Sequence, residues 1–194
     1  MNRREEEKEK VNKVAIPIKD MAATALLTAM ISVIAPFSIM IGPVPLTFAT
    51  LMVYLAAGTL GWKYGTVSVV LYILLGAVGL PVFSNFEGGF HKIAGVTGGY
   101  ILGYIPCALA TGLVAKASSK KNLAYICGMV IGTLLLYACG TVWFMLQTGN
   151  SLPASIALCI TPFLVGDAMK IMFACVIAPR LEMAFKRRSP PGSP

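Results

Sequence analysis

Apolar residues dominate this chain from Ile16 to about Glu182, interrupted only by short polar or Pro/Gly-rich punctuation. A helix needs about 20 mostly apolar residues to cross about 30 Å of hydrocarbon. The punctuation divides the run into six candidate spans, at 18–37, 46–62, 64–81, 98–117, 122–146 and 156–182. The second and third are short and meet at Gly61-Trp62-Lys63, so that boundary also admits a tight helical hairpin or a re-entrant shape. The pattern predicts an all-α integral membrane protein of six transmembrane helices, with residues 16–185 as one membrane domain. Residues 1–15 mix Arg, Lys and Glu with no early hydrophobic run, which predicts a cytoplasmic tail and not a signal peptide. Residues 186–194 end in Ser, Pro and Gly and predict a disordered tail.

Lys and Arg in short loops set orientation. Fourteen of the 16 fall on one side: six from Arg3 to Lys19, Lys63 between the second and third spans, Lys116, Lys120 and Lys121 between the fourth and fifth, and four from Arg180 to Arg188. That side is expected to be cytoplasmic, with both termini inside. The outer side then holds the turn Gly42-Pro43-Val44-Pro45, a long 3–4 connection from Pro81 to Thr97 expected to act as a lid, and a connection from Thr148 to Ser155. Only Lys92 among the basic residues lies there, and Lys170 belongs to no loop.

Composition agrees with a membrane protein: 57% hydrophobic and 12% charged residues, against about 45–50% and about 25% in soluble domains. The net charge of +8 then reflects topology and gives no argument for a nucleic-acid partner. With His91 as the single histidine, neither an H-E-x-x-H zinc helix nor a Ser/His/Asp system with a spare His can be assembled. No metal site and no cofactor is expected. A G-x-x-x-x-G-K-[ST] phosphate loop is missing too, so ATP would have to be used by other chains. The five cysteines have no C-x-x-C spacing and are expected to be buried free thiols.

The charges that remain carry the chemistry. Asp167 and Lys170 sit three residues apart in the apolar run 156–178, hence on one helix face. Each ionisable group costs at least ~2.5–3.5 kcal/mol at a helix centre, which marks the pair as a functional-site hypothesis. A mutual ion pair locking the last helix to a neighbour is the competing reading. Pro162 and Gly166 should loosen the helix just before the pair, about 10–15 Å from the outer end at ~1.5 Å per residue. The outer stretch 81–100 adds Gly88, Gly89, Gly95, Gly98 and Gly99, three phenylalanines and Asn85, a composition suited to closing over a small ligand. A surface loop without a ligand is the alternative there. Small-residue strips at Ala25/Ala29, Gly61/Gly65, Gly99/Gly103 and Gly128/Gly132 provide flat faces for helix packing, and a strip not needed inside the bundle could bind a partner. There is no internal repeat of the inverted kind found in many self-sufficient transporters.

The strings GPVPLTFATLMVYLAAGTLG, SVVLYILLGAVGLPVF, GVTGGYILGY and PFLVGDAMK, in this order over residues 42–170, resemble the biotin-specific membrane subunit (the BioY type of S component) of energy-coupling factor vitamin transporters. The resemblance implies a substrate-binding subunit in the plasma membrane of a prokaryote. It would take biotin from outside and join a coupling membrane protein and two ATPase subunits, with hydrolysis on those partners and no enzymatic activity of its own. It also implies that the strip at Ala25 and Ala29 faces the coupling protein. The ureido ring of biotin has two N–H donors and a carbonyl acceptor, its thiophane is apolar and its valerate is anionic. Asp167 is expected to accept one ureido N–H, Asn85 to bond the ring, and Lys170 to donate to the ureido oxygen or hold Asp167 ionised. Tyr100, Phe86, Phe90 and Thr47 are expected to line the pocket, with Gly98 and Gly99 at its edge. Lys92, His91 or loop N–H groups are candidates for the carboxylate. An S component for riboflavin or thiamin remains an alternative, and a lipid-modifying membrane enzyme using Asp167 as base is a poor one.

Overall fold

The computed structural model describes residues 18–117 and 121–187. The tail at 1–15 and the last residues of the chain, from 188 onward, lie outside the described residues. Helix α1 (Ile18–Ile34) is followed by two antiparallel strands, β1 (Ser38–Ile41) and β2 (Val44–Thr47), paired Ser38 to Thr47 and Ile41 to Val44. Helix α2 runs over Ala49–Ala77, a 3-10 turn over Ser84–Phe86, and a short α3 over Phe90–Ala94. Then come α4 (Gly98–Ala117), α5 (Lys121–Thr148), α6 (Leu152–Cys159), a second 3-10 turn (Thr161–Phe163) and α7 (Leu164–Arg187).

The helical membrane class expected from the apolar runs is the class observed, with three local differences. The first span stops at Ile34 instead of 37, and the turn at Gly42 (φ 77°) closes a small β-hairpin that takes residues 46 and 47 from the second span. Among the described residues, four helical stretches are long and apolar enough to cross a membrane, at Ala49–Ala77, Gly98–Ala117, Leu123–Thr148 and Leu152–Phe185. The first of these doubles back. Gly61 is non-helical (φ 77°, ψ −177°), and a Cβ at Gly65 would lie 2.6 Å from the Cα of Ala57, whereas eight residues of straight helix would separate them by about 12 Å. Residues 49–60 and 62–77 are therefore two arms of a tight helical hairpin. The last stretch is broken at Ile160–Phe163, where Pro162 cannot donate to a helix ladder.

In lipid, close packing and hydrogen bonds replace hydrophobic attraction between helices. Glycine supplies the close packing. Gly99 and Gly103 of α4 lie against Trp143, Cys139 and Leu136 of α5, and Gly128 and Gly132 of α5 receive the backbone of Thr111 and Cys107. Gly112 sits on the backbone of Trp62. Helix α1 packs its Ala23, Thr24, Leu27, Thr28 and Ile31 stripe on α2, tied by Thr28 Oγ1 to the Ser68 carbonyl (3.2 Å) and Ser68 Oγ to the Thr24 carbonyl (3.2 Å). The outward faces carry large apolar residues, such as Leu134 and Leu135 on α5 and Met172, Phe173 and Val176 on α7, as a lipid-facing surface requires. Contrary to expectation, only Cys107 and Cys159 among the cysteines are buried; Cys127 and Cys139 are exposed on α5 and Cys175 is half-buried.

The helical hairpin has a direct test. Gly65→Val should lower the thermal midpoint in detergent by the equivalent of about 1–3 kcal/mol, since its new side chain meets backbone and not a movable side chain. Gly166→Ala, whose Cβ would make an ordinary 3.4 Å contact with Leu46, should change it little. Equal midpoints for the two variants would mean the arms do not pack at Ala57.

Candidate functional site

A narrow cavity of about 40 Å³, partly open to solvent, lies where the loops of one end meet the helices. Strand β2 supplies Val44, Pro45, Leu46 and Thr47, and the connections supply Ser84, Thr97, Cys159 and Phe163. The helices supply Thr50 from α2, Tyr100, Ile101 and Tyr104 from α4, Leu136 and Tyr137 from α5, and Asp167 and Lys170 from α7.

The break at Ile160–Phe163 explains how a carboxylate enters this region. It restarts the helix at Leu164 and so places Asp167 in the first turn of α7, where the positive end of the helix dipole favours an anion. Lys170, one turn along, donates to Asp167 Oδ1 at 2.8 Å, and the two residues are 6% and 7% exposed. The hydroxyl of Tyr137 donates to Asp167 Oδ2 at 2.5 Å from the facing helix. Both carboxylate oxygens thus have charged or polar partners, and the pair is neutral as a unit. Around it are two further tyrosines with partners: Tyr104 OH shares a 3.3 Å contact with Thr47 Oγ1, and Tyr100 OH donates to the Cys159 carbonyl at 3.1 Å. Thr47 also caps the start of α2 by accepting from the Ala49 N–H at 3.2 Å.

Of the residues the sequence nominated, Asp167, Lys170, Tyr100 and Thr47 line this cavity. The other six do not. Asn85 is exposed, and its side chain is committed elsewhere: Oδ1 accepts from Ser38 Oγ at 2.8 Å and Nδ2 reaches Met40 Sδ at 3.1 Å. Its backbone N–H donates to the Pro36 carbonyl at 3.0 Å, so it fastens the 3–4 connection to the β-hairpin. Phe86 and Phe90 are 57% and 72% exposed, Phe86 lying edge-on to Phe37. The phenylalanine that anchors the connection is Phe83, fully buried, edge-on to Tyr72 at 5.6 Å and seated where a side chain at Gly76 would be. Gly98 and Gly99 are buried because Ile93 and Trp143 leave no room for a Cβ, a packing role. Lys92 pairs with Glu87 at 2.8 Å, and His91 is exposed.

The connection from 81 to 97 is more fixed than a bare loop. Besides Phe83 and Asn85, Gly89 N–H donates to the Gly76 carbonyl (2.7 Å), and Trp143 Nε1 and Gln147 Nε2 of α5 donate to the Gly95 and Ala94 carbonyls (2.9 and 3.0 Å). Tyr137 and Tyr104 escaped the sequence reading. Tyrosines within an apolar span look like ordinary core residues, and the signal available was only that a buried phenol needs a hydrogen-bond partner.

Ala25 and Ala29, nominated as a partner-facing strip, are exposed on α1, while the three glycine-containing strips are used inside the fold. Lys19 and Lys116 meet Leu60, Tyr64 and Glu182 at the end of the molecule away from the cavity.

Comparison with known proteins bears on this geometry. The chain is 40% identical over 166 residues to the biotin transporter BioY of Thermotoga maritima, covering 85% of this chain and 96% of that one. It is 30% identical over 152 residues to the biotin transporter BioY2 of Lactococcus lactis, covering 78% and 84%. Among solved structures it matches the S-component for biotin from an ECF-type ABC transporter, with a TM-score of 0.79 at 26% identity over 87% of this chain and 95% of that one. Residues 6–187 match the BioY family, and the chain belongs to that family of membrane transport proteins.

Proposed function

We propose that this protein is the biotin-binding subunit of an energy-coupling factor importer, taking biotin from outside a prokaryotic cell membrane and passing it inward. The observation that carries the reading is the buried Asp167–Lys170 pair facing a partly open cavity lined by both polar and apolar side chains. The pair bonds within its own helix and to Tyr137 of α5, and all three residues line the cavity, so the cluster faces it as a unit. The biotin bicycle suits these walls. Its ureido N–H groups have a carboxylate acceptor in Asp167, its ureido oxygen has a donor in Lys170, whose ammonium keeps N–H groups beyond the one given to Asp167, and its thiophane has Leu46, Ile101, Leu136 and Phe163. The names of the BioY relatives and of the matching S-component support the same ligand.

The proposed topology is six crossings, counting the arms of α2 as two, with both termini cytoplasmic and the cavity toward the outside. The cluster of Lys19 and Lys116 opposite the cavity supports that orientation. The proposed partners are a coupling membrane protein on the exposed Ala25/Ala29 face and two ATPase subunits. A flat strip of small residues left unused by the protein's own packing is what a partner helix needs for close approach.

Titration of the detergent-purified protein with biotin, riboflavin and thiamin tests the ligand: saturation by biotin alone is expected, and saturation by either other vitamin without biotin would sink the reading. Asp167→Asn should weaken biotin binding by about 1–3 kcal/mol, roughly 5–150-fold in Kd, because an amide presents a donor where the ring needs an acceptor. Unchanged affinity would remove Asp167 from the site. Ala25→Trp should leave biotin affinity as it is and abolish energised uptake in cells that supply the coupling proteins; lost binding would instead make the strip part of this protein's own packing.

A further inference from the structure

The charges around the cavity add up in a way that bears on what else it can carry. Among the described residues lining it there is one cation, Lys170, and one anion, Asp167, bonded to each other at 2.8 Å. The charge of Lys170 is therefore balanced by Asp167, and a ligand carboxylate that drew it away would leave Asp167 buried with half its compensation lost. A ligand carboxylate beside this pair would also face Asp167 itself. Lys92, the cation nearest in sequence to the outer connections, is held by Glu87 at 2.8 Å and does not line the cavity. What remains on the loop side is neutral: the hydroxyls of Thr47, Thr50, Ser84 and Thr97. These hydrogen-bond a carbonyl oxygen whether it belongs to a carboxylate or to an amide.

Biotin has one end rich in directional N–H and C=O groups and one anionic end on a flexible arm. With the bicycle at the Asp167–Lys170–Tyr137 end, the arm has neutral polar groups such as Thr47 and Ser84 ahead of it, in a cavity that is partly open to solvent. A carboxylate there keeps water and needs no protein cation, whereas a buried unpaired one would be expensive.

We infer that the site recognises the bicycle and is indifferent to the charge of the carboxyl group, so that amide-linked biotin, such as biotin joined to the ε-amino group of lysine, is a second substrate class. This rests on the biotin reading above. Recognition by the ring alone leaves the atoms added at the carboxyl group outside the contacts with Asp167, Lys170 and Tyr137.

Isothermal titration of the full-length protein in detergent with biotin, its primary amide and biotinyl-lysine decides the matter. Both amides are expected within tenfold of biotin in Kd, and biotin affinity is expected to change less than threefold between low and high salt. Biotin binding accompanied by a loss of more than tenfold for the primary amide overturns the inference alone and shows that a cation reads the carboxylate. Failure of biotin itself to bind overturns the underlying reading and the inference with it. As a second measure, Lys92→Met should leave biotin affinity within threefold, and a larger loss would place Lys92 on the carboxylate and overturn the inference.

Discussion

A carboxylate and an ammonium buried together in an apolar helix set the terms for this structure. Neither Asp167 nor Lys170 is more than 7% exposed. Desolvating each costs several kcal/mol, and the Coulombic gain repays that only with good geometry and with the remaining valences filled. Three devices meet those conditions. Lys170 is one helical turn away, so the pair forms without drawing on another element. Tyr137 fills the second carboxylate oxygen from α5. The helix restart at Leu164 adds the dipole of α7 behind Asp167. Each depends on a different part of the chain, so the pair fixes how α7 and α5 face one another across the cavity.

The helix restart has its own cost, since broken helices leave backbone groups that lipid cannot satisfy. The fold handles this by position. Among the described residues, left-handed backbone at Gly42, Gly79, Asn85, Phe86, Gly89 and Gly149 lies in the connections at the cavity end, and Gly61 alone marks the opposite end. Irregular backbone is thus gathered where water is near or where Phe83, Trp143 and the β-hairpin cover it. Part of the cavity wall comes from the same stretches, because Ser84, Thr97 and Phe163 lie in the breaks between helices and Thr47 ends β2. Forming a cavity and ending the helices are one structural solution here.

Much of this was legible from the residues themselves. Apolar length and Pro/Gly punctuation set the spans at 98–117 and 122–146 to within two residues of α4 and α5. Gly61 could be flagged as a turn because two short spans met there. The Asp167–Lys170 pair stood out since charge in an apolar run is costly. What escaped were features set by tertiary contact. Alternation over only four residues a strand gave no warning of the β1–β2 hairpin. Asn85 looked like a ligand group because its amide is versatile, and that versatility is spent on Ser38, Met40 and the Pro36 carbonyl. Phe86 and Phe90 looked no different from Phe83, and only the missing side chain at Gly76 decides which ring is buried.

The small-residue strips show how the same sequence signal separates by context. Gly61/Gly65, Gly99/Gly103 and Gly128/Gly132 each have an internal partner so close that a Cβ would collide with it. Ala25 and Ala29 have none within the described residues and lie on the face of α1 opposite the Leu27 and Ile31 stripe. Glycine is demanded where two backbones must touch inside the fold. Alanine gives a flat surface without the entropic penalty of glycine in a helix. A strip of alanine on an otherwise bulky apolar surface, with Met21, Leu26, Met30 and Val33 exposed around it, is a shallow groove between larger side chains. Lipid chains can fill such a groove only by ordering themselves, whereas a helix fills it with one ridge of side chains. That difference supports the partner face proposed above, which would sit on α1, away from the helices that hold Asp167, Tyr137 and Lys170.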